Sequence, residues 1–526
     1  MTNRVYNILF HTHTISGIVI SALLYVIFFT GSISFLRDEI NAWERNEPIQ
    51  EHYFRSIDFD TAIDKLDSEE KLYSKDVTFS HRYYEKRIGA FVSPAKDTTL
   101  AKEKKQGRRR GFFYLDAEKH HRTDYTSNYS LGEFFYRLHF FAQLNFFGRS
   151  GYFLSGLVAL FFLFAVVTGV IVHWKRIVPG FYVFRPKAKW KTIWTDAHVA
   201  LGLIGLPYQF MFAVTGAFLI IGYTVMLPPV QKFLFDDDQQ AFNKVANFNE
   251  EEVYPFIGER ANFHVSYNDF IKKTQEKWPD LVINGLKVIN YGDKNMHVQV
   301  SGSPDYKDAL TGAGHLTFRA SDGKLVKAKN PYEVSYVEGA NDVLRRLHYG
   351  DYGGYGMKLI YLVLGFVTCF VIISGVLIWL VARDKKNVPE YKRRFNSWLV
   401  RIYMAVCLGI YPVTAFTFLV VKLFANGTLV DRKAFINRTF FWLWLAVSLL
   451  LLIKKNHYSI NKLCLVSGGI ISLMIPFANG FITGNWLWTS VENGYSQILV
   501  VDLFWTCSGV ISFLVLYKMK QKASKA

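Results

Sequence analysis

Five histidines beside long apolar segments are the residues of this 526-residue chain whose spacing bears most directly on chemistry. His13 and His198 each begin the same pattern, H-x3-G-x12-T-G. His139 and His348 each follow a leucine shortly before a glycine-containing apolar segment, and His173 lies at the end of such a segment. Histidine is costly inside a membrane and is usually functional there. The spacing therefore predicts metal or cofactor ligands rather than scattered surface histidines.

The repeated spacing indicates an internal duplication. Residues 1–176 and 190–382 each contain an apolar helix, a long insertion, a Leu-His pair and a second apolar helix. A repeat unit with an even number of membrane spans keeps its orientation, so the copies are expected to be related by a pseudo-twofold axis along the membrane normal. The segments after residue 394 have no counterpart.

Such an axis places the histidines in two facing pairs. His13 and His198 meet at one depth, and His139 and His348 meet near the other membrane face. Two imidazoles approaching from opposite sides are what a planar six-coordinate haem iron requires. A helix rises 1.5 Å per residue, so His13 and Gly31 are about 27 Å apart. The sequence thus predicts two haems with these four axial ligands.

Two alternatives remain open for the ligand at the cytoplasmic end. His173 breaks the symmetry because Trp379 aligns with it in the second copy. It is expected either to replace His13 as the ligand or to donate a hydrogen bond to the ligand, and His11 is a weaker rival. A zinc or hard-metal site is disfavoured, since no Asp or Glu accompanies these histidines within the spans.

Recurring glycines on these helices would let a flat macrocycle lie between backbones, although glycines equally serve close helix packing. They are Gly17, Gly31, Gly156, Gly169, Gly202 and Gly216.

Eight apolar segments are long enough to position these histidines in a membrane. A bilayer core of about 30 Å requires roughly 20 residues of helix. The segments are residues 14–36, 151–172, 199–226, 357–381, 398–424, 439–453, 463–483 and 497–517, of which the sixth is the shortest.

Basic loops set the orientation. Lys and Arg concentrate in residues 175–191, 383–394, 454–455 and 518–525, all on one side of an eight-helix chain. By the positive-inside rule that side is the cytoplasm, so both termini are cytoplasmic and the insertions are periplasmic. The basic run at residues 102–110 opposes this, but charge in a long loop has less influence.

The predicted fold is therefore an α-helical multi-pass protein of the bacterial inner membrane with two periplasmic α+β insertions. The expected divisions are helix one (1–36), insertion one (37–150), helices two and three (151–226), insertion two (227–356), helix four (357–382) and a C-terminal four-helix extension (397–518).

The two insertions have similar patterns. Each begins with a helical segment, at residues 57–66 and 267–278, and each contains a late hairpin, at residues 112–124 and 315–326. Asp322-Gly323 is a hairpin turn signal.

Composition excludes several other classes. Hydrophobic residues make up 51% of the chain, which suits a mixture of membrane spans and water-exposed domains. The net charge of +18 lies in short loops, where it sets topology and attracts anionic lipids rather than nucleic acid. The four cysteines form no CxxC or CxxCH motif, which disfavours disulfide frameworks and covalent c-type haem. A bound NADPH or FAD domain is not expected, because no glycine-rich nucleotide motif lies in a strand-turn-helix context.

Short motifs over about residues 1–385 resemble the PepSY-associated transmembrane helix family, the iron-regulated inner-membrane proteins that include ferric-siderophore reductases. The motifs are FHTHTISG (10–17), FLRDEI (35–40), RLHF (137–140), TGVIVHWK (168–175), FRP (184–186), DAHVALG (196–202) and RRLHYG (345–350).

The resemblance implies PepSY folds for the insertions and two b-type haems in the four-helix core. It further implies one-electron reduction of a ferric siderophore on the periplasmic side, with a quinol or a separate cytoplasmic reductase as electron donor. No catalytic side chain is assigned. The competing readings are a non-redox permease for iron or its chelate, and a PepSY-domain binding protein without catalysis.

Overall fold

The computed structural model describes residues 2–48, 52–81, 85–97, 111–116, 118, 120–185, 187–238, 241–242, 253–425, 429–454 and 456–519. These residues form two compact units. The first contains Met1–Asn46, Ser130–Pro229 and Tyr355–Ala526, and the second contains Glu47–Tyr129 and Val230–Gly354.

The helices of the described residues are, in chain order, α1 (Asn3–Ser34), α2 (Arg37–Arg45), α3 (Phe59–Glu70), α4 (Leu131–His139), α5 (Ser150–His173), α6 (Ile177–Tyr182), α7 (Trp190–Ala217), α8 (Leu227–Phe235), α9 (Tyr267–Lys277), α10 (Tyr336–Tyr349), α11 (Gly354–Arg383), α12 (Glu390–Phe424), α13 (Arg432–Leu452), α14 (His457–Thr483), α15 (Leu487–Glu492) and α16 (Ser496–Lys518).

Eight helical segments of the described residues are long and apolar enough to cross a membrane, which confirms the prediction of a multi-pass protein. They are α1, α5, the continuous helix Trp190–Phe235, α11, α12, α13, α14 and α16. The third contains a π-helical stretch, Phe218–Met226, between α7 and α8. The sixth begins at Arg432, seven residues before the apolar segment, because the Asp431 side chain caps the helix through the Ala434 amide at 2.8 Å.

Aromatic and small side chains pack the helices around α1. The Phe28 ring meets Phe162 of α5 edge-on at 5.2 Å, and Phe29 meets Phe366 of α11 at 5.6 Å. Gly365 of α11 faces Ser32, where a side chain on the glycine would collide with the serine. Small residues let membrane helices approach closely. This packing fixes α1 against α5 and α11, the helices whose backbone carbonyls bond His13 and His198.

Helix α2 lies in the first unit, although the expected boundary at residue 37 assigned it to the first insertion. On its core side, Arg37 forms an ion pair with Glu133 of α4. Glu39 accepts a hydrogen bond from the Lys358 ammonium of α11 at 2.6 Å. Buried charges are retained only when they are paired, so partners far along the chain allow this charged segment to be buried.

The other side of α2 binds the C-terminal helices. The Trp43 indole donates to the carboxylate of Asp502 in α16 at 2.8 Å. Glu44 pairs with Arg432 of α13, and Lys422 of α12 donates to the Trp43 carbonyl at 2.5 Å. Helix α2 therefore joins the C-terminal extension to the histidine-bearing core.

The second unit contains one eight-stranded antiparallel sheet to which both insertions contribute. Its order is β4-β3-β2-β1-β5-β6-β7-β8. The strands are β1 (Val77–Ser80), β2 (Arg87–Val92), β3 (Phe112–Asp116), β4 (His121–Thr123), β5 (Leu281–Ile289), β6 (His297–Pro304), β7 (Gly314–Arg319) and β8 (Leu325–Lys329). The first strands of the two insertions, β1 and β5, pair at the centre with Val77 opposite Val288. Each insertion thus supplies one half of a shared sheet.

The helices that begin the insertions also meet. Asp60 of α3 accepts hydrogen bonds from the Ser266 hydroxyl at 2.7 Å and the Tyr267 amide at 2.5 Å, at the start of α9. Both helices cover a common hydrophobic core that includes Phe59 and Phe270. The predicted hairpins are present, and Gly323 adopts the positive φ of 66° that the turn requires.

Replacing Phe79 by alanine is expected to destabilise this sheet by about 3–5 kcal/mol, because a large buried side chain leaves a cavity. Phe79 is fully buried in β1, pairs with Leu286 across the central strands and contacts the Phe59 ring at 5.4 Å. The control is Phe112→Ala, at a side chain 39% exposed on β3, with an expected change within about 0.5 kcal/mol. Hydrogen exchange of the β1 and β5 amides measures the difference, and equal exchange in both variants would contradict this packing.

Candidate functional site

His13 contacts the helix that follows the first insertion. Its Nδ1 lies 2.9 Å from the Ala165 carbonyl oxygen of α5. The ring lies against Gly169, where an added Cβ would be 3.0 Å from the imidazole Cε1. Because a carbonyl oxygen only accepts, Nδ1 must carry the proton. The contact fixes both the orientation and the tautomer of this ring.

His198 makes the corresponding contact in the second copy. Its Nδ1 lies 3.0 Å from both the Val371 carbonyl oxygen and the Ser374 hydroxyl of α11. A Cβ on Gly375 would be 3.3 Å from the His198 Cε1. His13 and His173 both lie close enough to His198 to interact with it electrostatically. Three of the predicted residues therefore gather at the same end of the core.

His139 is held in the same way by α1. Its Nδ1 lies 2.8 Å from the Ile27 carbonyl oxygen. The ring rests on Gly31, where a Cβ would be 2.6 Å from Nδ1. Here only glycine permits the imidazole to reach the helix backbone.

The three contacts use one local pattern. The carbonyl acceptor is followed three residues later by a hydroxyl residue and four residues later by glycine, as in Ala165–Thr168–Gly169, Ile27–Thr30–Gly31 and Val371–Ser374–Gly375. Each hydroxyl donates back to a carbonyl of its own helix at 2.7–2.8 Å. The glycine thus admits the ring, and the hydroxyl stays folded against the helix. The T-G and S-G pairs were visible in the sequence, but their contact with the imidazole rings was not predicted.

This arrangement prepares each histidine to bind a metal. Metal-binding histidines usually donate the other ring N–H to a carbonyl or carboxylate, which orients the ring and increases its basicity. In His13, His139 and His198 the Nδ1–H makes that bond, so Nε2 carries the lone pair. Within the described residues, no group of three or more His, Cys, Asp or Glu side chains is arranged to hold a free metal ion.

Two glycines near the histidines that begin the repeats border open space. Gly17 and Gly202 lie one turn after His13 and His198, and an added Cβ at either would meet no atom within 4 Å. Gly156 differs, because its neighbour Ile220 would be only 2.7 Å away. The glycines therefore fall into three groups: positions of close helix packing, positions that contact an imidazole ring, and positions that border open space.

The remaining predicted histidines occupy different settings. His173 is half-buried at the end of α5, and His11 is exposed on α1. His348 is half-buried on α10, which belongs to the second unit. The pairing of His139 with His348 stays a prediction, as does the choice between His13 and His173.

Sequence reasoning missed one polar group in the C-terminal extension. Asp502 and Asn479 are fully buried within apolar helices, and Lys422 is 9% exposed. An acidic residue or a lysine within an apolar run is the sequence signal that could have identified Asp502 and Lys422.

The eight membrane-length helices of the described residues define a multi-pass membrane protein whose helical core contains half-buried imidazoles oriented by backbone carbonyls. The chain belongs to the family of the PepSY-associated TM region, whose model matches residues 10–382. It is also similar to an uncharacterized protein of Pseudomonas aeruginosa, with 22% identity over 351 residues that cover 64% of this chain and 84% of the relative.

Proposed function

We propose that the protein is a di-haem b-type reductase of the bacterial inner membrane that passes electrons across the membrane to ferric siderophore in the periplasm. The proposal is based on one arrangement that occurs three times. An imidazole ring lies against a glycine, its Nδ1–H donates to a helix carbonyl, and its Nε2 is available to bind a metal. Membership of the family of the PepSY-associated TM region supports the membrane location that the proposal requires.

The positions of His13 and of the His139 contact along α1 support two separate sites. His13 lies near the start of α1, whereas His139 binds Ile27 near its other end. The fourteen residues from His13 to Ile27 span about 21 Å of helix. A centre at each end would carry an electron across most of a bilayer core.

The residues present fit haem. His13 and His198 would hold one iron, with His173 as the alternative to His13, and His139 and His348 would hold the other. The open space beside Gly17 and Gly202 supports this assignment, because a flat group there would meet no side chain of those two positions. Haem would supply a one-electron redox centre whose potential depends on its axial ligands and burial. The protein's own residues orient the imidazoles through backbone carbonyls and exclude water by aromatic packing.

The proposed direction of transfer is inferred from the basic loops. By the positive-inside rule, their charge favours a cytoplasmic location for residues 175–191 and 383–394. The PepSY-like insertions are then periplasmic, and a quinol or a separate cytoplasmic reductase would donate the electron. One electron converts Fe(III), a hard ion held by oxygen ligands, to the softer Fe(II), which the siderophore holds less tightly. Reduction would thus release the iron.

Absorption spectroscopy of the detergent-purified protein tests this function. We expect a Soret band, α and β bands that sharpen with dithionite, and two non-covalent haems per chain. The reduced protein should be reoxidised by a ferric hydroxamate, with Fe(II) captured by a chromogenic chelator. Colourless protein from haem-replete cells would overturn the proposal and favour a permease or a binding protein. Coloured protein that ferric chelates do not reoxidise would overturn the assigned substrate.

The Gly31→Ala variant is expected to lose most of the haem held by His139, because the added methyl group would lie 2.6 Å from Nδ1 and displace the ring. The measured quantity is haem per chain, expected to fall from two to about one. Gly356→Ala is the matched control, since a Cβ there meets nothing within 4 Å. Full haem content in the Gly31→Ala variant would argue against His139 as a ligand.

A further inference from the structure

A buried carboxylate in the C-terminal extension lies outside the proposed haem sites. Asp502 is fully buried in the second turn of α16, a helix whose apolar character suits a membrane span. Ionisable residues inside membrane bundles are costly, and they commonly mark ion or proton pathways.

Uncharged groups make both hydrogen bonds to Asp502. Its Oδ1 accepts from the Trp43 indole at 2.8 Å, and its Oδ2 accepts from the Asn479 amide at 2.7 Å. Both donor residues are fully buried. A buried carboxylate held only by neutral donors has a large penalty for its charge, so uptake of a proton competes with ionisation.

Among the described residues, the charged groups near Asp502 bond to partners other than its carboxylate. Lys422 of α12 donates to the Trp43 carbonyl at 2.5 Å and lies 4.5 Å from the centre of the Trp43 ring. On α2, Glu44 is paired with Arg432 of α13. From α14 the facing group is the neutral Asn479. Among the described residues, Lys422 therefore bonds to the Trp43 backbone and forms no ion pair with the Asp502 carboxylate.

The surroundings favour a proton over a metal cation. Sodium, calcium and magnesium require several oxygen ligands, whereas the Asp502 oxygens are approached by the N–H groups of Trp43 and Asn479. Each carboxylate oxygen has a second lone pair, so a proton can still be bound.

Polar groups continue from Asp502 along the interior of the extension. The Trp505 indole nitrogen and the Thr414 hydroxyl are buried and have no hydrogen-bond partner among the described residues. Further along, the Tyr411 hydroxyl lies 3.0 Å from the Ser472 hydroxyl and 2.9 Å from that of Ser512. These three helices thus share an interior lined with exchangeable protons.

On α12 the polar positions cover the thickness of a membrane. Lys422 and Tyr411 are eleven residues apart, which is about 16 Å of helix, and Arg401 lies about 31 Å from Lys422. Tyr403, between Arg401 and Tyr411, also has a buried hydroxyl without a hydrogen-bond partner among the described residues.

We propose that Asp502 is a proton-binding site of the C-terminal extension, reached through the polar groups between α12, α14 and α16. Trp43 connects the site to α2, and α2 is fixed to the core through Glu39 and Lys358. The inference does not depend on haem binding in the core.

Infrared difference spectroscopy of the full-length protein in lipid, recorded between acidic and alkaline pH, tests the site. We expect a carboxyl C=O band of a buried, protonated acid that disappears on alkalinisation. Asp502→Asn should abolish the band. Glu492→Gln, which removes an exposed carboxylate from α15 in the same extension, should leave it unchanged. An identical carboxyl band in wild-type protein and the Asp502→Asn variant would overturn the assignment, as would the absence of such a band from the wild-type protein.

Asp502→Glu decides the matter if the asparagine variant does not fold. It keeps a carboxyl group but lengthens the side chain by one methylene, so the band is expected to persist at a displaced frequency. A band of unchanged frequency and pH dependence would assign it to another residue and reject Asp502 as the site.

Discussion

The His198→Ala variant is expected to bind about one haem per chain instead of two, with the remaining haem at the His139 site. Of the proposed ligands, His198 has two contacts that orient its ring on α11, with its Nδ1 3.0 Å from the Val371 carbonyl oxygen and from the Ser374 hydroxyl. Alanine would remove the proposed iron-binding Nε2 together with these contacts. The pyridine haemochromogen assay on protein normalised by amino-acid analysis measures the change.

Electron transfer should fall with the haem content. The measured quantity is the rate at which a donor inside proteoliposomes reduces a ferric chelate outside them. Without the first haem this rate is expected to decrease by at least about tenfold, which corresponds to an increase of about 1.4 kcal/mol in the activation free energy. His457→Ala is the matched control, because it removes a partly buried histidine from α14, outside the repeats. Two haems in the His198→Ala variant would reject this ligand, and a loss of haem in both variants would indicate general unfolding.

Replacing Glu44 by glutamine is expected to lower the free energy of unfolding by about 3–5 kcal/mol, because it leaves a buried guanidinium without its counter-charge. The Glu44 side chain is 1% exposed and that of Arg432 is 10% exposed. Glu44 also accepts a hydrogen bond from the Leu131 amide at 2.7 Å, so it joins α2, α4 and α13. Thermal unfolding in detergent and hydrogen exchange of α13 measure the effect.

An exposed ion pair at the start of α12 provides the comparison. Glu390 and Arg394 are 65% and 79% exposed, so Glu390→Gln is expected to change stability by less than about 1 kcal/mol. Equal stability of the Glu44→Gln and Glu390→Gln variants would show that α2 does not fasten the extension to the core.

Local sequence patterns predicted the elements but not their long-range partners. Length and apolarity identified all eight spans, and Asp322-Gly323 identified a hairpin whose Gly323 has positive φ. These features depend on neighbouring residues alone. Pairing of β1 with β5 joins residues about two hundred positions apart, and nothing local to Val77 specifies Val288 as its partner. The shared sheet was therefore not predicted.

Helix α2 illustrates the same limit. Its sequence, RDEINAWER, has the polarity of a surface helix. It is buried because Glu133, Lys358 and Arg432, all distant in sequence, neutralise its charges. Burial that depends on distant counter-charges is not visible in the segment itself.

The equivalence of the histidines in the two copies was visible in the sequence, whereas their hydrogen-bond acceptors were not, and their role as haem ligands stays a prediction. The repeat placed His13 and His198 in equivalent positions, and each does bond the corresponding carbonyl of the following helix, Ala165 and Val371. The carbonyl is a backbone group present at every residue, so only the packing of helices selects it. The glycine that permits the approach was visible, but close helix packing explained it equally well.

Electron paramagnetic resonance of the oxidised wild-type protein at low temperature reports the axial ligands of each haem iron and therefore tests the proposed histidine ligation. We expect two low-spin ferric signals typical of bis-imidazole ligation, one of which is lost in the His198→Ala variant. A protein without ferric haem signals, or with high-spin signals that are unchanged in that variant, would contradict the proposed ligation.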